Sequence, residues 1–358
     1  MPTVANFSIN YTQFLNEQGE ASQPLPAFAD QADNLIEMYR AMVLTRVFDK
    51  KAIALQRTGQ LGTYASSLGQ EAVSVGIGIA MQTEDVLVPY YREYGAQFLR
   101  GVSIKEILLY WGGDERGMDY QGPRQDFPIC VPIASHGPHA VGIAFAMKHR
   151  REARVAVAVF GDGATSKGDF YEAINAAGVW QLPLVFVVNN NQWAISVPRS
   201  QQSHCQTIAQ KAFAGGIDGE QVDGNDVIAV RCAIEKALEK ARSGDGPSVI
   251  EALTYRLCDH TTADDASRYR SDEELKKHWD IEPFIRLRQY MMSQGIWDDD
   301  KEKALLSDCA AKVEQEVKAY LDTPQLAPEA MFDYMFESLP SDLAKQRELV
   351  IKRTKNNG

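Results

Sequence analysis

RVAVAVFGDGATSKGDFYEAINAAGVWQLPLVFVVNNN, residues 154–191, decides the fold. It opens on a short apolar, β-branched run, RVAVAVF (154–160), of the kind that forms a strand buried on both faces. A glycine turn, GDG (161–163), leads into a helix-patterned segment, and PLVFVVNNN (183–191) is a second buried strand. Strand, helix and strand within about 40 residues make a right-handed βαβ unit of a parallel sheet. In open parallel sheets ligands bind beyond the carboxyl ends of the strands. A helix start there offers unpaired N–H groups and a positive dipole end to a phosphate. Gly161 and Gly163 let the backbone approach such a ligand without a Cβ in the way. Asp162 supplies a hard carboxylate of the kind magnesium takes, and Asn191, at the end of the neighbouring strand, reaches the same point. With a backbone carbonyl at Trp193 these groups leave room in an octahedral shell for phosphate oxygens and water. Alone, a GDG is a turn and a run of asparagines is a loop. It is their joint spacing across a βαβ unit that points to a metal-bound phosphate.

Working outward, the pattern stays α/β. Residues 1–29 read as an extended N-terminal arm, and a long helix is expected from about 30 to 56, with Gly59 placed to end it. GQEAVSVGIGIAM (69–81) and AVGIAFAMKHR (140–150) read as helices rich in small residues, made for close packing on a neighbour. Ser103 and Glu106 form a capping box. A turn at 223–226, a helix to about 243 and a strand at SVIEALTYR (248–256) continue the sheet. The expected organisation is therefore an arm (1–29), one α/β domain with a mostly parallel sheet covered by helices (30–271), and a helical C-terminal extension packed on it (272–358).

Composition narrows the function classes. The 358 residues are 45% hydrophobic and 24% charged, as in globular proteins with a filled core. A net charge of −11 argues against nucleic-acid binding, which calls for a basic face. Five dispersed cysteines without a CxxC pair read as free thiols of a reducing compartment. The first twenty residues have neither a basic start nor a continuous apolar core, so the expected location is the cytoplasm of a bacterium. GDGATSKG (161–168) lacks the GxGxxG of a dinucleotide-binding dehydrogenase.

The segment from GDG through NNNQWAIS (161–196) resembles the thiamine-diphosphate motif of alpha subunits of the first component of 2-oxo acid dehydrogenases, of the heterotetrameric pyruvate and branched-chain type. The similarity runs over roughly 30–345, nearly the whole chain. It implies a thiamine-diphosphate-binding fold, with magnesium held by Asp162, Asn191 and the Trp193 carbonyl, where the family more often has tyrosine. It also implies backbone contacts from Gly163 and Ala164 to the diphosphate, and from Val131 and Ile133 to the aminopyrimidine. PYYREYG (89–95) matches a Tyr-Arg element touching the phosphates, here Tyr91 and Arg92. HTTADDASRYR (260–270) resembles the family's loop over the entrance, whose histidine, here His260, contacts the phosphates and serves catalysis. Thr261 stands where some relatives carry a phosphorylated hydroxyl, but Arg268 stands at another such place, so no regulation of that kind is expected. Two departures are His136, in place of a common glutamine near a potassium site, and residues 115–121, which lack the histidine relatives often have there.

The implied reaction is oxidative decarboxylation of a 2-oxo acid with acyl transfer to a lipoyl group on an acyltransferase component. In such heterotetramers the glutamate that activates the coenzyme comes from the beta subunit. Glu71 is the one tempting glutamate here and reads as structural, so the chain alone is expected to be inactive. GTYAS (62–66) and LGQEA (68–72) lean toward pyruvate, the alternatives being a branched-chain 2-oxo acid and, more distantly, acetoin. A non-catalytic scaffold would have little reason to keep Asp162, Asn191, Arg92 and His260 together.

Overall fold

In the computed structural model, which describes residues 2–357, six strands form one parallel sheet. They are β1 (Asn10–Thr12), β2 (Val86–Val88), β3 (Ala156–Gly161), β4 (Leu184–Asn190), β7 (Asp218–Asp223) and β8 (Ser248–Leu253); β5 (Trp193–Ala194) and β6 (Val197–Pro198) make a small separate hairpin. The order across the sheet is β1-β7-β8-β4-β3-β2. The βαβ unit read from 154–191 is present: β3 and β4 are adjacent and parallel, with Gly161 opposite Asn189. Their apolar residues alternate between two cores, as period-2 geometry requires. Ala158, Phe160, Phe186 and Val188 pack beneath α5 (His136–Arg150) and α6 (Gly168–Val179). Val157, Val159, Val185 and Val187 pack on α2 (Glu71–Ala80) and α8 (Val227–Arg242). Fully burying each of these valines and phenylalanines contributes about 1.5–3 kcal/mol relative to exposure.

The expected long helix is α1 (Ala32–Arg57), and it joins α3 (Tyr94–Leu99) and α4 (Ile104–Trp111) in an outer layer. The capping box is complete: Ser103 Oγ accepts the Glu106 N–H, and Glu106 accepts the Ser103 N–H at 2.7 Å. The C-terminal part is helical as expected, in α9 (Asp272–Trp279), α10 (Pro283–Ser293), α11 (Asp299–Leu321) and α12 (Ser341–Asn357), with a short α7 (Arg199–Gln202) near the site. The N-terminal arm is tied to the sheet. β1 pairs with β7, and the Phe14 and Leu15 N–H groups both donate to Asp226 Oδ2 at 2.7 Å, the residue that also caps α8.

The small residues of α2 serve contacts within the chain. A Cβ on Gly76 would come within 2.5 Å of Val230 on α8, and one on Gly78 within 2.7 Å of Ala96 on α3. The outward side of α5 is different, because Phe145 stays 47% exposed beside Trp180, itself 49% exposed. Among the described residues no helix is long and apolar enough to cross a membrane.

Candidate active site

The strand ends bring the candidate residues to one cavity of about 200 Å³. Tyr91, Arg92, Ile133, Asp162, Gly163, Ala164, Asn191, Trp193 and His260 all line it. Val131, expected with them, is not among the lining residues and is exposed. A wider surface groove of about 740 Å³ lies elsewhere, along α1, α4 and α11, but the orphaned Asp162 carboxylate oxygen lies at the smaller cavity.

Asp162 opens a short 3-10 turn, Asp162–Ser166, between β3 and α6. The turn is pinned from three sides. Thr165 Oγ1 donates to the Asp162 carbonyl at 2.8 Å, Gln202 Nε2 donates to the same oxygen at 3.0 Å, and the buried Lys211 ammonium donates to the Thr165 carbonyl at 2.8 Å. Gly163 must be glycine here, since a Cβ would lie 2.8 Å from that of Ala194. The Asp162 carboxyl is 1% exposed, its Oδ2 has no hydrogen-bond partner, and burial pushes its pKa up to about 6. An orphaned buried carboxylate is costly and calls for a cation.

Asn191 and Trp193 are aimed by the backbone between them. Gln192 adopts φ +71°, a left-handed conformation that costs a non-glycine residue about 1–2 kcal/mol and clusters at functional sites. Cavity-lining Ala134 and Ile195 are also left-handed, at φ +65° and +55°. Asn191 Oδ1 accepts the Trp193 N–H at 3.2 Å. Among the described residues no cluster of three or more histidine, cysteine or acidic side chains exists to cage a metal. A cation at Asp162 would therefore draw on neutral oxygens and on a ligand's own, as phosphate-bound magnesium does.

The opposite wall is cationic. Arg92 is 1% exposed and Arg256 fully buried, and among the described residues neither has a carboxylate within ion-pair reach. Arg92 donates to the carbonyls of Ser66 and His260, the latter at 2.7 Å, and to His260 Nδ1 at 3.1 Å. Arg256 donates to the Trp193 carbonyl at 3.3 Å, to the Ile195 carbonyl at 2.9 Å and to the Tyr269 hydroxyl at 2.7 Å. An arginine can only donate, so Nδ1 of His260 is an acceptor and its proton sits on Nε2. Burial, then the Arg92 and Arg256 charges, push the His260 pKa down to about 3. The desolvated Arg92 guanidinium lining the cavity, with Arg256 buried beside His260 off the lining, favours an anion with several oxygens there.

The loop at 259–270 is stitched into this wall. The His260 N–H donates to Asp264 Oδ2 at 2.8 Å, the Tyr269 hydroxyl donates to the same carboxylate, and Arg270 donates to the Arg256 carbonyl. Glu71 is structural, as expected, receiving Arg46 Nε at 2.8 Å and the Gly69 N–H at 2.9 Å. None of residues 115–121 lines the cavity. His136 does line it; its Nε2 must donate to the Val159 carbonyl at 2.7 Å, leaving a buried Nδ1 without a partner, and burial pushes its pKa down to about 4. Arg256 was missed by the sequence reading, although an arginine directly beyond a buried strand was a usable signal.

A protein family described as Dehydrogenase E1 component matches residues 39–329. A pyruvate dehydrogenase E1 component subunit alpha from Staphylococcus aureus is 36% identical over 340 residues, covering 94% of this chain and 91% of its own length. A 3-methyl-2-oxobutanoate dehydrogenase subunit alpha from Mycobacterium tuberculosis is 41% identical over 312 residues, covering 87% of this chain and 85% of its own. This chain belongs to the dehydrogenase E1 family, as an alpha subunit of the 2-oxo acid dehydrogenase type.

Proposed function

We propose that the cavity binds the diphosphate of thiamine diphosphate through one magnesium ion, and that the assembled enzyme decarboxylates pyruvate and passes the acyl group to a lipoyl group. The observation that carries the cofactor reading is the pairing, at one cavity, of a buried carboxylate lacking a cation, Asp162, with a buried guanidinium lacking a carboxylate partner, Arg92. A magnesium diphosphate supplies both. The holders would be Asp162, Asn191 and the Trp193 carbonyl for the metal, with Arg92, Tyr91, His260 and the backbone at Gly163 and Ala164 for the phosphates. The Val131–Ile133 backbone would meet the aminopyrimidine.

The coenzyme, when bound, supplies the electron sink for decarboxylation. This chain's residues place it and keep water out, and His260, neutral and protonated at Nε2, offers a donor at the entrance. Asp162 is the only carboxylate among the cavity's lining residues. That supports a glutamate arriving from a beta subunit, and exposed Phe145 and Trp180 support a partner surface. An alpha2-beta2 heterotetramer and a lipoyl-bearing acyltransferase complete the proposed assembly, in the cytoplasm.

Pyruvate is supported by the GTYAS and LGQEA segments. A second reading, 3-methyl-2-oxobutanoate, is favoured by the higher identity of the mycobacterial relative. Co-expression with a candidate beta subunit and measurement of carbon dioxide release from both acids tests the proposal. The expected outcome is cofactor-dependent release from pyruvate by the pair and none by this chain alone. Faster turnover of the branched acid would shift the substrate, and release from neither by a cofactor-loaded pair would overturn the reading.

A further inference from the structure

Gln70 stands just before α2, fully buried, and its side chain makes no capping bond to the helix it precedes. Instead its Oε1 receives two donors, Asn191 Nδ2 at 2.9 Å and the Tyr90 hydroxyl at 3.3 Å, while its Nε2 is buried with no partner. A side chain that leaves one donor unsatisfied to present an acceptor is held there by something other than its own stability.

The reason lies in the symmetry of an asparagine amide. Its oxygen and nitrogen are nearly the same size, yet only the oxygen can bind a cation, and an N–H turned toward one repels it. Two contacts decide which end faces where. The Trp193 N–H requires Asn191 Oδ1 on its side, and Gln70 Oε1 then takes the Asn191 nitrogen. The Tyr90 hydroxyl donates to the same Oε1 at 3.3 Å, while the Asn191 Nδ2 donor is what sets the sense of the Gln70 amide.

We infer that Gln70 is a positioning residue which, through a hydrogen bond to Asn191, keeps the Asn191 oxygen turned toward the cation of the site. The inference rests on the magnesium-diphosphate reading above and deepens it. Partners of this outer kind are worth about ten- to a hundredfold in metal affinity.

The test titrates magnesium into the alpha-beta assembly at fixed thiamine diphosphate, with binding followed by calorimetry. Gln70→Met is expected to raise the magnesium needed for half-saturation by about tenfold or more, and Gln70→Glu, which keeps the acceptor, to stay within about threefold of the parent. In an Asn191→Asp background, where an oxygen faces both sides, the Gln70→Met effect should shrink to under about threefold, which a merely structural loss would not do. If Gln70→Met does not fold, Gln70→Asn, whose amide is withdrawn by one methylene, is read in its place. An unchanged magnesium requirement in Gln70→Met, where the parent binds magnesium and coenzyme through Asp162, would overturn the Gln70 inference alone. A parent that binds neither would overturn the cofactor reading beneath it.

Discussion

Asp162→Ala is expected to abolish magnesium-dependent binding of thiamine diphosphate by the alpha-beta assembly, with affinity falling by at least about a hundredfold, since losing a direct ligand exceeds the loss of an outer partner. Decarboxylation falls with it. The stability of the cofactor-free chain should move the other way. Asp162 is buried with an unpartnered Oδ2 and a pKa pushed up to about 6 by burial, so the folded state holds its proton more tightly than the unfolded chain does. Stability therefore declines as pH rises from about 4, where the unfolded carboxyl ionises, to about 6, where the folded one does, and the cost is full above that. Asp162→Asn keeps the shape and removes the charge. It should stabilise the cofactor-free chain by up to about 3 kcal/mol at pH 8 and by nothing near pH 3. Thermal melts at the two pH values, set beside calorimetric binding, read both effects. A variant that bound coenzyme normally would contradict the assignment, and equal melts at pH 8 would contradict the burial argument.

Arg92→Met is expected to be nearly as severe, for a different reason. Its guanidinium has no carboxylate partner among the described residues and faces the cavity beside His260. Two charge-assisted bonds to a diphosphate, at about 1.5–3 kcal/mol each, put the loss of affinity at about a hundredfold or more. Arg92→Lys should recover little, because a point charge cannot reproduce the fixed fork. Arg92 also donates to the His260 carbonyl, so the 259–270 loop should become more sensitive to limited proteolysis in the variant. Inorganic pyrophosphate serves as a second probe. It should protect that loop in the parent and fail to do so in Arg92→Met, whereas equal protection in both would place the anion elsewhere.

How much of this could be read from the chain depends on where the information sits. β3 and β4 were legible because both faces are buried, which demands continuous apolar runs. β7 was not: DGEQVD presents a mostly polar string and becomes a strand only because β8 and β1 pair with it on either side. β1 and β2 have three residues each, too few for a period to show. The αL turn at Gln192, which aims both Asn191 and Trp193, carries no glycine to announce it. The metal and phosphate candidates were legible since GDG and NNN fall at strand ends, where chemistry and topology coincide. Gln70 sits 121 residues from Asn191, and nothing local marks it; only the fold sets α2 against the end of β4. The glycines of α2 were rightly read as close-contact residues, and the fold shows the contact to be with α8 and α3.

In the proposed site one metal is gripped by Asp162 and Asn191 at neighbouring strand ends while it clamps a diphosphate. A crystal structure of the alpha-beta assembly grown with magnesium and thiamine diphosphate tests it most directly. The expected metal is six-coordinate, about 2.0–2.1 Å from an Asp162 carboxylate oxygen and the Asn191 Oδ1, with the Trp193 carbonyl completing the protein ligands and Arg92 on the phosphates. Coenzyme bound with its metal held by other residues, or a diphosphate lying away from Arg92, would contradict it.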